Sequence, residues 1–157
     1  ILARHSVRQF FSDPVSPAIQ DQLAAAFQAA PCGMHYTDVI QGAIISDPAL
    51  RQQVEQASNN ACYNAPLLFV IAGKKDSPFG ERDASAAAEN IMVEAARHSL
   101  GSVYVMSGAL ALNSQPDFLR KIGFDEGYEA LVIVAIGKPA SNSKAPDRSK
   151  RYKLIRK

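Results

Sequence analysis

Two stretches of this sequence are apolar at every position, and they constrain the fold more than anything else in it. The eight residues of "PLLFVIAG" (66–73) and the Leu131–Ile136 run inside "EALVIVAIG" (129–137) show no alternation of apolar with polar side chains. A strand of this kind must be covered on both faces, so it belongs in the centre of a sheet with other elements on each side. A third strand is expected over "VIQGAIIS", from about Val39 to Ile45.

The covering elements are helices. In "SPAIQDQLAAAFQAAP", Ser16 is placed to cap, Pro17 takes the first helical position and Pro31 ends the helix. Ile19, Leu23, Phe27 and Ala30 recur there at three- and four-residue spacing and form one buried stripe. Asp47-Pro48 starts a second helix with Leu50, Val54 and Ala57 inward. "DASAAAENIMVEAARHS" predicts a third, from about Asp83 to Ser99 and closing at Gly101. Its small residues, Ala84, Ala87, Ala88, Ala95 and Ala96, permit close approach of another helix or of a subunit. Glu89 and Asn90 are expected on its outer face or at a subunit contact. A shorter helix runs from Ser114 to Ile122 and is stopped by Gly123. Three strands and four helices make a mixed α+β or α/β domain, expected to be a single unit over residues 1–157.

The opening "ILARHSVRQFF" raises a different question. Arg4, His5, Ser6 and Arg8 crowd four strong donors into five residues, directly ahead of apolar Val7, Phe10 and Phe11. An anion accounts for both features. At the other end, residues 144–157 hold seven basic residues against Asp147 alone. The remainder has ten basic and fourteen acidic groups, a formal −4 hidden under an overall +2. A basic tail on an acidic body is a nucleic-acid arm, a solvated end, or the second half of an anion site begun by Arg4 and Arg8.

Several chemistries are excluded. No G-x-x-x-x-G-K-[ST], G-x-G-x-x-G or G-x-S-x-G occurs. His5, His35 and His98 have no metal spacing with one another, so no metal is expected. Cys32 and Cys62 are too few for a disulfide scaffold. Cys32 with His35 three residues on is a weak nucleophile pair. There is no Trp and no aromatic platform for bases. No apolar run approaches the roughly 18 residues that span a bilayer, and no signal-peptide pattern precedes the first helix, so a cytoplasmic protein is expected. The chain opens on Ile1 rather than Met, and a few further residues are expected before it.

Taken in order, "RHSVRQF", a helix ending in "AAPCGM", "YNAPLLFVIAG", "AAAENIMVEAARHSLGSVYV", "AIGKP" and a basic tail resemble the FMN-dependent nitroreductase family, in particular its compact members with a Pro-x-Gly-Met turn. The resemblance covers nearly the whole chain. It implies a nitroreductase-like sheet flanked by helices, and a homodimer with FMN at the interface and a C-terminal arm exchanged between subunits. It implies a ping-pong reaction in which hydride passes from NADH or NADPH through the flavin to a nitroaromatic, a quinone or a similar small oxidant. Some relatives perform other flavin chemistry, such as dehalogenation or flavin destruction. A nucleic-acid- or anion-binding module is the alternative outside the family, and neither a nucleic-acid nor a membrane partner is expected within it.

The resemblance also assigns residues. Arg4, His5, Ser6 and Arg8 match the motif that binds phosphate and ribityl oxygens, and Arg148 and Lys150 are the counterparts of its closing basic motif. Guanidiniums suit that task because their planar fork grips phosphate oxygens bidentately. Pro31, Cys32, Gly33 and Met34 match the turn whose backbone lines the flavin ring. Gly33 allows close approach there because it has no Cβ. Met106 and Ser107, within "SLGSVYVMSG", fall near the flavin's pyrimidine edge. Family members often carry Pro-Ser-x-x-Asn followed by Gln-Pro-Trp. Here Cys32 replaces Ser, His35 replaces Asn, and "TDV" stands where Gln-Pro-Trp would fall. That departure leaves the identity of the oxidant open; His35, at the family's Asn position, is the residue expected to contact it. No side-chain acid or base is required, and no catalytic residue is assigned.

Overall fold

A computed structural model describes residues 1–157. In chain order the elements are α1 (Pro17–Gln28), a single 3-10 turn (Gly33–His35), β1 (Ile40–Ile45), α2 (Pro48–Ala57), β2 (Leu67–Lys74), α3 (Gly80–Arg97), β3 (Gly101–Val105), α4 (Met106–Leu112), α5 (Pro116–Ile122) and β4 (Tyr128–Gly137). The four strands form one sheet in the order β1-β2-β4-β3, antiparallel throughout. The two apolar stretches are therefore the two central strands.

Their apolar character serves two cores. Along β2, Leu67, Phe69 and Ile71 point toward α1 and α3, where they meet Leu23, Ala87 and Ile91. Leu68, Val70 and Ala72 point the other way, toward Val54, Leu112 and Leu119 of α2, α4 and α5. The strand's period of two sends alternate side chains to opposite faces, and helices rather than water receive both sets. Between Ile71 and Ala72 the pairing with β4 slips by one residue, leaving half-buried Leu131 as the extra residue of a bulge. No helix is long and apolar enough to cross a membrane.

Four expectations need correction. There are four strands and five α-helices, not three and four: "GSVYV" forms β3 and "MSGALAL" forms α4 directly after it. Helix α3 starts at Gly80, three residues before Asp83, and ends at Arg97. Ser99 takes the left-handed closing position at φ 58°, and Gly101 is the first residue of β3. The short helix starts at Pro116 rather than Ser114, because Pro fits a first turn that needs no N–H donor. Ser16 flanks α1 as expected, yet its side chain makes no capping hydrogen bond.

The small residues of α3 settle one alternative. Ala84, Ala87, Ala88 and Ala95 are fully buried within the chain, against the sheet and α1. They bring a helix close, and they present no free face to a partner. Half-buried Asn90 completes the same junction by donating from Nδ2 to the Ala26 carbonyl of α1 at 3.2 Å.

Candidate functional site

The lead-in segment lies along the free edge of β3. Val7 is buried, and its N–H donates to the Ser102 carbonyl at 3.0 Å, while Ser6 bridges Ser102 in parallel. Further on, the Phe11 N–H donates to Lys138 O and the Ala140 N–H to Gln9 O, both at 2.9 Å. The segment is thus tied at one end to the start of β3 and at the other to the chain leaving β4. Extended backbone alternates its side chains, so with Val7 inward, Ser6 and Arg8 are exposed.

Around this segment the polar groups converge from distant parts of the sequence. Arg4 is largely covered and its Nε lies 3.3 Å from Glu89 Oε1 of α3. Glu89 is half exposed, so the pair holds Arg4 weakly. His5 places Nδ1 3.0 Å from the Ala3 carbonyl and Nε2 3.1 Å from Ser143 Oγ. A carbonyl only accepts, so Nδ1 donates to Ala3, while Nε2 shares its hydrogen bond with the Ser143 hydroxyl. Arg148 donates from Nη2 to the Arg4 carbonyl. Its Nε is buried with no hydrogen-bond partner. A cavity of about 200 Å³ opens here, lined among others by Arg4, His5, Ser99 and Ser102.

Met106 and Ser107 stand at the other end of β3, where both are exposed as α4 begins. Ser102 and Met106 are four residues apart, roughly 13 Å along a strand. Beside them a cavity of about 240 Å³ is lined by Ser85, Tyr104, Met106, Leu110 and Leu131, with Tyr104 Oη 3.2 Å from Ser85 Oγ. Tyr104 and Ser85 were not singled out in the sequence. The signal was the alternation of polar Ser102 and Tyr104 with apolar Val103 and Val105, over only four residues.

The turn 31–35 belongs to the same end of the sheet as Met106 but to the opposite edge, ahead of β1. Three strand spacings separate the two edges, about 14 Å. Its contacts are with α3: the Gly33 N–H points between Asp83 Oδ1 and Oδ2, each at 3.2 Å. A Cβ on Gly33 would lie 2.4 Å from the Phe79 ring, so glycine is required by that close approach. Met34 and His35 follow at φ 54° and 59°, both exposed. Pro31 is exposed and Cys32 half-buried.

Of the predicted residues, then, Arg4, His5, Ser6 and Arg148 come together, with Arg8 exposed on the same segment. Met106 and Ser107 close the other end of β3. The 31–35 turn lies apart from both, and Lys150 is exposed without a partner. Arg148 reaches the Arg4 carbonyl of its own chain. The other cysteine is inert: burial pushes the Cys62 thiol up to about 11, the Ser58 hydroxyl opposes, and the charge of Glu55 adds. Buried Glu55 accepts from the Cys62 and Asn64 amides and shapes the loop after α2.

A model of the nitroreductase family matches residues 39–138. Among solved structures, a nitroreductase with bound FMN from Bacteroides fragilis superposes with a TM-score of 0.85 at 17% identity, covering 98% of this chain and 95% of that one. A second, from Desulfitobacterium hafniense and also with bound FMN, gives 0.85 at 19% identity with the same coverage. The NADPH:FMN oxidoreductase of Vibrio harveyi, complexed with NAD+, gives 0.78 at 20% identity, covering 99% of this chain and 77% of that one. At these identities the likeness is one of fold.

Proposed function

This chain belongs to the nitroreductase family, and from that premise we propose that it is an FMN-dependent oxidoreductase, one domain over residues 1–157. It uses NADH or NADPH to reduce a nitroaromatic, a quinone or a similar small acceptor in a ping-pong cycle. The observation that carries this function is the gathering of Arg4, His5, Ser6 and Arg148 at the start of β3, from opposite ends of the chain.

The donor set fits the cofactor's phosphate. A phosphomonoester carries about −1.5 to −2 charges, and in the absence of a glycine-rich loop side chains must meet it. Arg148 Nε is a buried donor without an acceptor, a costly state for a guanidinium that an anion relieves. Arg8 and Ser6 are exposed and free to turn toward the same anion, with Lys150 as a further cation from the tail. The edge of β3 leads from there to Met106 and Ser107, a span suited to a phosphorylated ribityl chain that ends in a ring. FMN, once bound, would supply the hydride chemistry that links the nicotinamide to the acceptor. The protein's part is to hold the phosphate, cover the ring and set the reacting distance.

The same geometry favours a homodimer. Pro31, Cys32, Gly33 and Met34 sit on the edge of the sheet opposite Met106, so a partner's turn is the simplest way for both to line one ring. His35, exposed beside that turn, would meet the acceptor.

The test separates phosphate from ring. Wild-type protein is expected to bind FMN more tightly than riboflavin. Arg8→Ala and Arg4→Ala are each expected to weaken FMN about tenfold to a hundredfold, the usual loss for a charged hydrogen bond of about 1.5–3 kcal/mol. Fluorescence quenching measures both. Equal affinity of the wild type for the two flavins would remove the phosphate site, as would wild-type FMN content in both variants after dialysis.

A further inference from the structure

Asp83 is a buried carboxylate in the first turn of α3, and the amide of Gly33 is the one donor its oxygens accept from. No cation pairs with it. Buried carboxylates are ordinarily met by a cation or by several donors, and one amide leaves most of this one's acceptor capacity unused. The helix start offers it some compensation. As a contribution to stability alone the arrangement is poor. It does, however, fix one point of the backbone.

That point is clamped from two sides. Asp83 holds the Gly33 amide, and the Phe79 ring fills the space where a Cβ would be. Immediately beyond, Met34 and His35 both occupy the left-handed region, which side chains other than glycine rarely adopt. Both are exposed, so packing of their own side chains does not hold them there. Strained backbone of this kind persists only where its surroundings over-determine it. Here the constraint comes from beneath, through Gly33.

We infer that Asp83 is a positioning residue of the flavin site: through the Gly33 amide it keeps the 31–35 turn in the shape that meets the flavin ring. The inference rests on the function proposed above. It separates the site into two parts, a phosphate grip made by Arg4, Ser6, Arg8 and Arg148, and a ring ledge held by Asp83.

Two measurements test it. Without cofactor, hydrogen exchange at Gly33 is expected to speed up about tenfold in Asp83→Ala, the loss of one amide–carboxylate bond of ordinary strength, and to recover largely in Asp83→Asn, which keeps an acceptor oxygen in place. With cofactor, Asp83→Ala is expected to weaken riboflavin and FMN by the same factor, again about tenfold, whereas Arg4→Ala weakens FMN selectively. A purely structural role would lower the melting temperature without this matched loss and without rescue by Asn. Should Asp83→Ala fail to fold, Gly33→Ala displaces the same turn from the Phe79 side and is expected to give the same matched loss. Wild-type flavin affinities in Asp83→Ala would overturn the inference alone. A wild type that binds neither flavin would overturn the function it rests on, whatever the Gly33 exchange rate.

Discussion

Ending the chain after Pro139 is expected to give a folded protein that no longer retains FMN. The deletion removes Arg148 and Lys150, two of the cations assigned to the phosphate. It also removes Ser143, the partner of His5, and the Ala140 amide that donates to Gln9. The sheet is left whole, because β4 ends at Gly137 and the bridge from Phe10 reaches only Pro139. Each charged contact to the phosphate is worth about 1.5–3 kcal/mol. Two lost together, with the clasp on the lead-in segment, predict at least about a hundredfold weaker binding. Circular dichroism checks the fold, and flavin content after gel filtration checks the loss. If residues 144–157 were instead a nucleic-acid arm, the truncated protein would stay yellow and lose only salt-dependent binding to DNA. A yellow, dimeric product would contradict the assignment of the tail.

Gly101→Val is expected to damage the phosphate grip more than any single arginine replacement. A Cβ at Gly101 would lie 2.7 Å from Val7 Cβ and within 2.8 Å of both its methyl groups. Val7 is the one buried side chain of the 4–8 segment, and it docks that segment on β3. Overpacking of this kind costs about 1–3 kcal/mol, which lowers the melting temperature of a chain this size by roughly 2–12 °C. The functional loss is larger than the stability loss, because Arg4, Ser6 and Arg8 move together when Val7 lifts. Val7→Ala does not rescue it, since the Val7 Cβ is itself one of the clashing atoms. A lowered melting temperature with unchanged FMN affinity would show that the docked segment does not hold the phosphate.

How much of this was legible in the sequence depended on how local each cause is. The central strands declared themselves because six to eight consecutive apolar residues leave no other environment. Helix α2 began where Asp47-Pro48 placed it, and Asp47 caps by accepting from the Leu50 amide at 2.8 Å. Strand β3 was hidden because its alternation is four residues long and follows a helix closed by Ser99 rather than by a glycine. Helix α4 was hidden because Val105, which precedes it, offers no capping side chain. The start of α3 was expected at about Asp83; the helix begins at Gly80 instead, and Asp83 turns inward toward the Gly33 turn.

The candidate site divides in the same way. The donors of residues 4–8 are neighbours in sequence and announced an anion by themselves. The arrival of Arg148 at the Arg4 carbonyl joins residues 144 positions apart. The charge pattern offered a joined anion site as one of three readings, and the family resemblance singled out Arg148. Asp83, Glu55 and the Tyr104–Ser85 pair carried no sequence signal, since a buried carboxylate or a hydroxyl pair is defined by which elements pack together. The Ala-rich face of α3 was ambiguous between a helix and a subunit until α1 was found lying on it.

The central claim is that this protein carries FMN and moves electrons through it from a nicotinamide. Anaerobic titration of the purified, FMN-reconstituted protein with NADPH and with NADH, followed by visible absorbance, tests it most directly. The expected result is one flavin per chain, whose absorption bleaches with at least one of the two nicotinamides and returns when a quinone or nitroaromatic is added. A protein that retains no flavin after reconstitution and desalting, or whose bound flavin is bleached by neither nicotinamide, would contradict it.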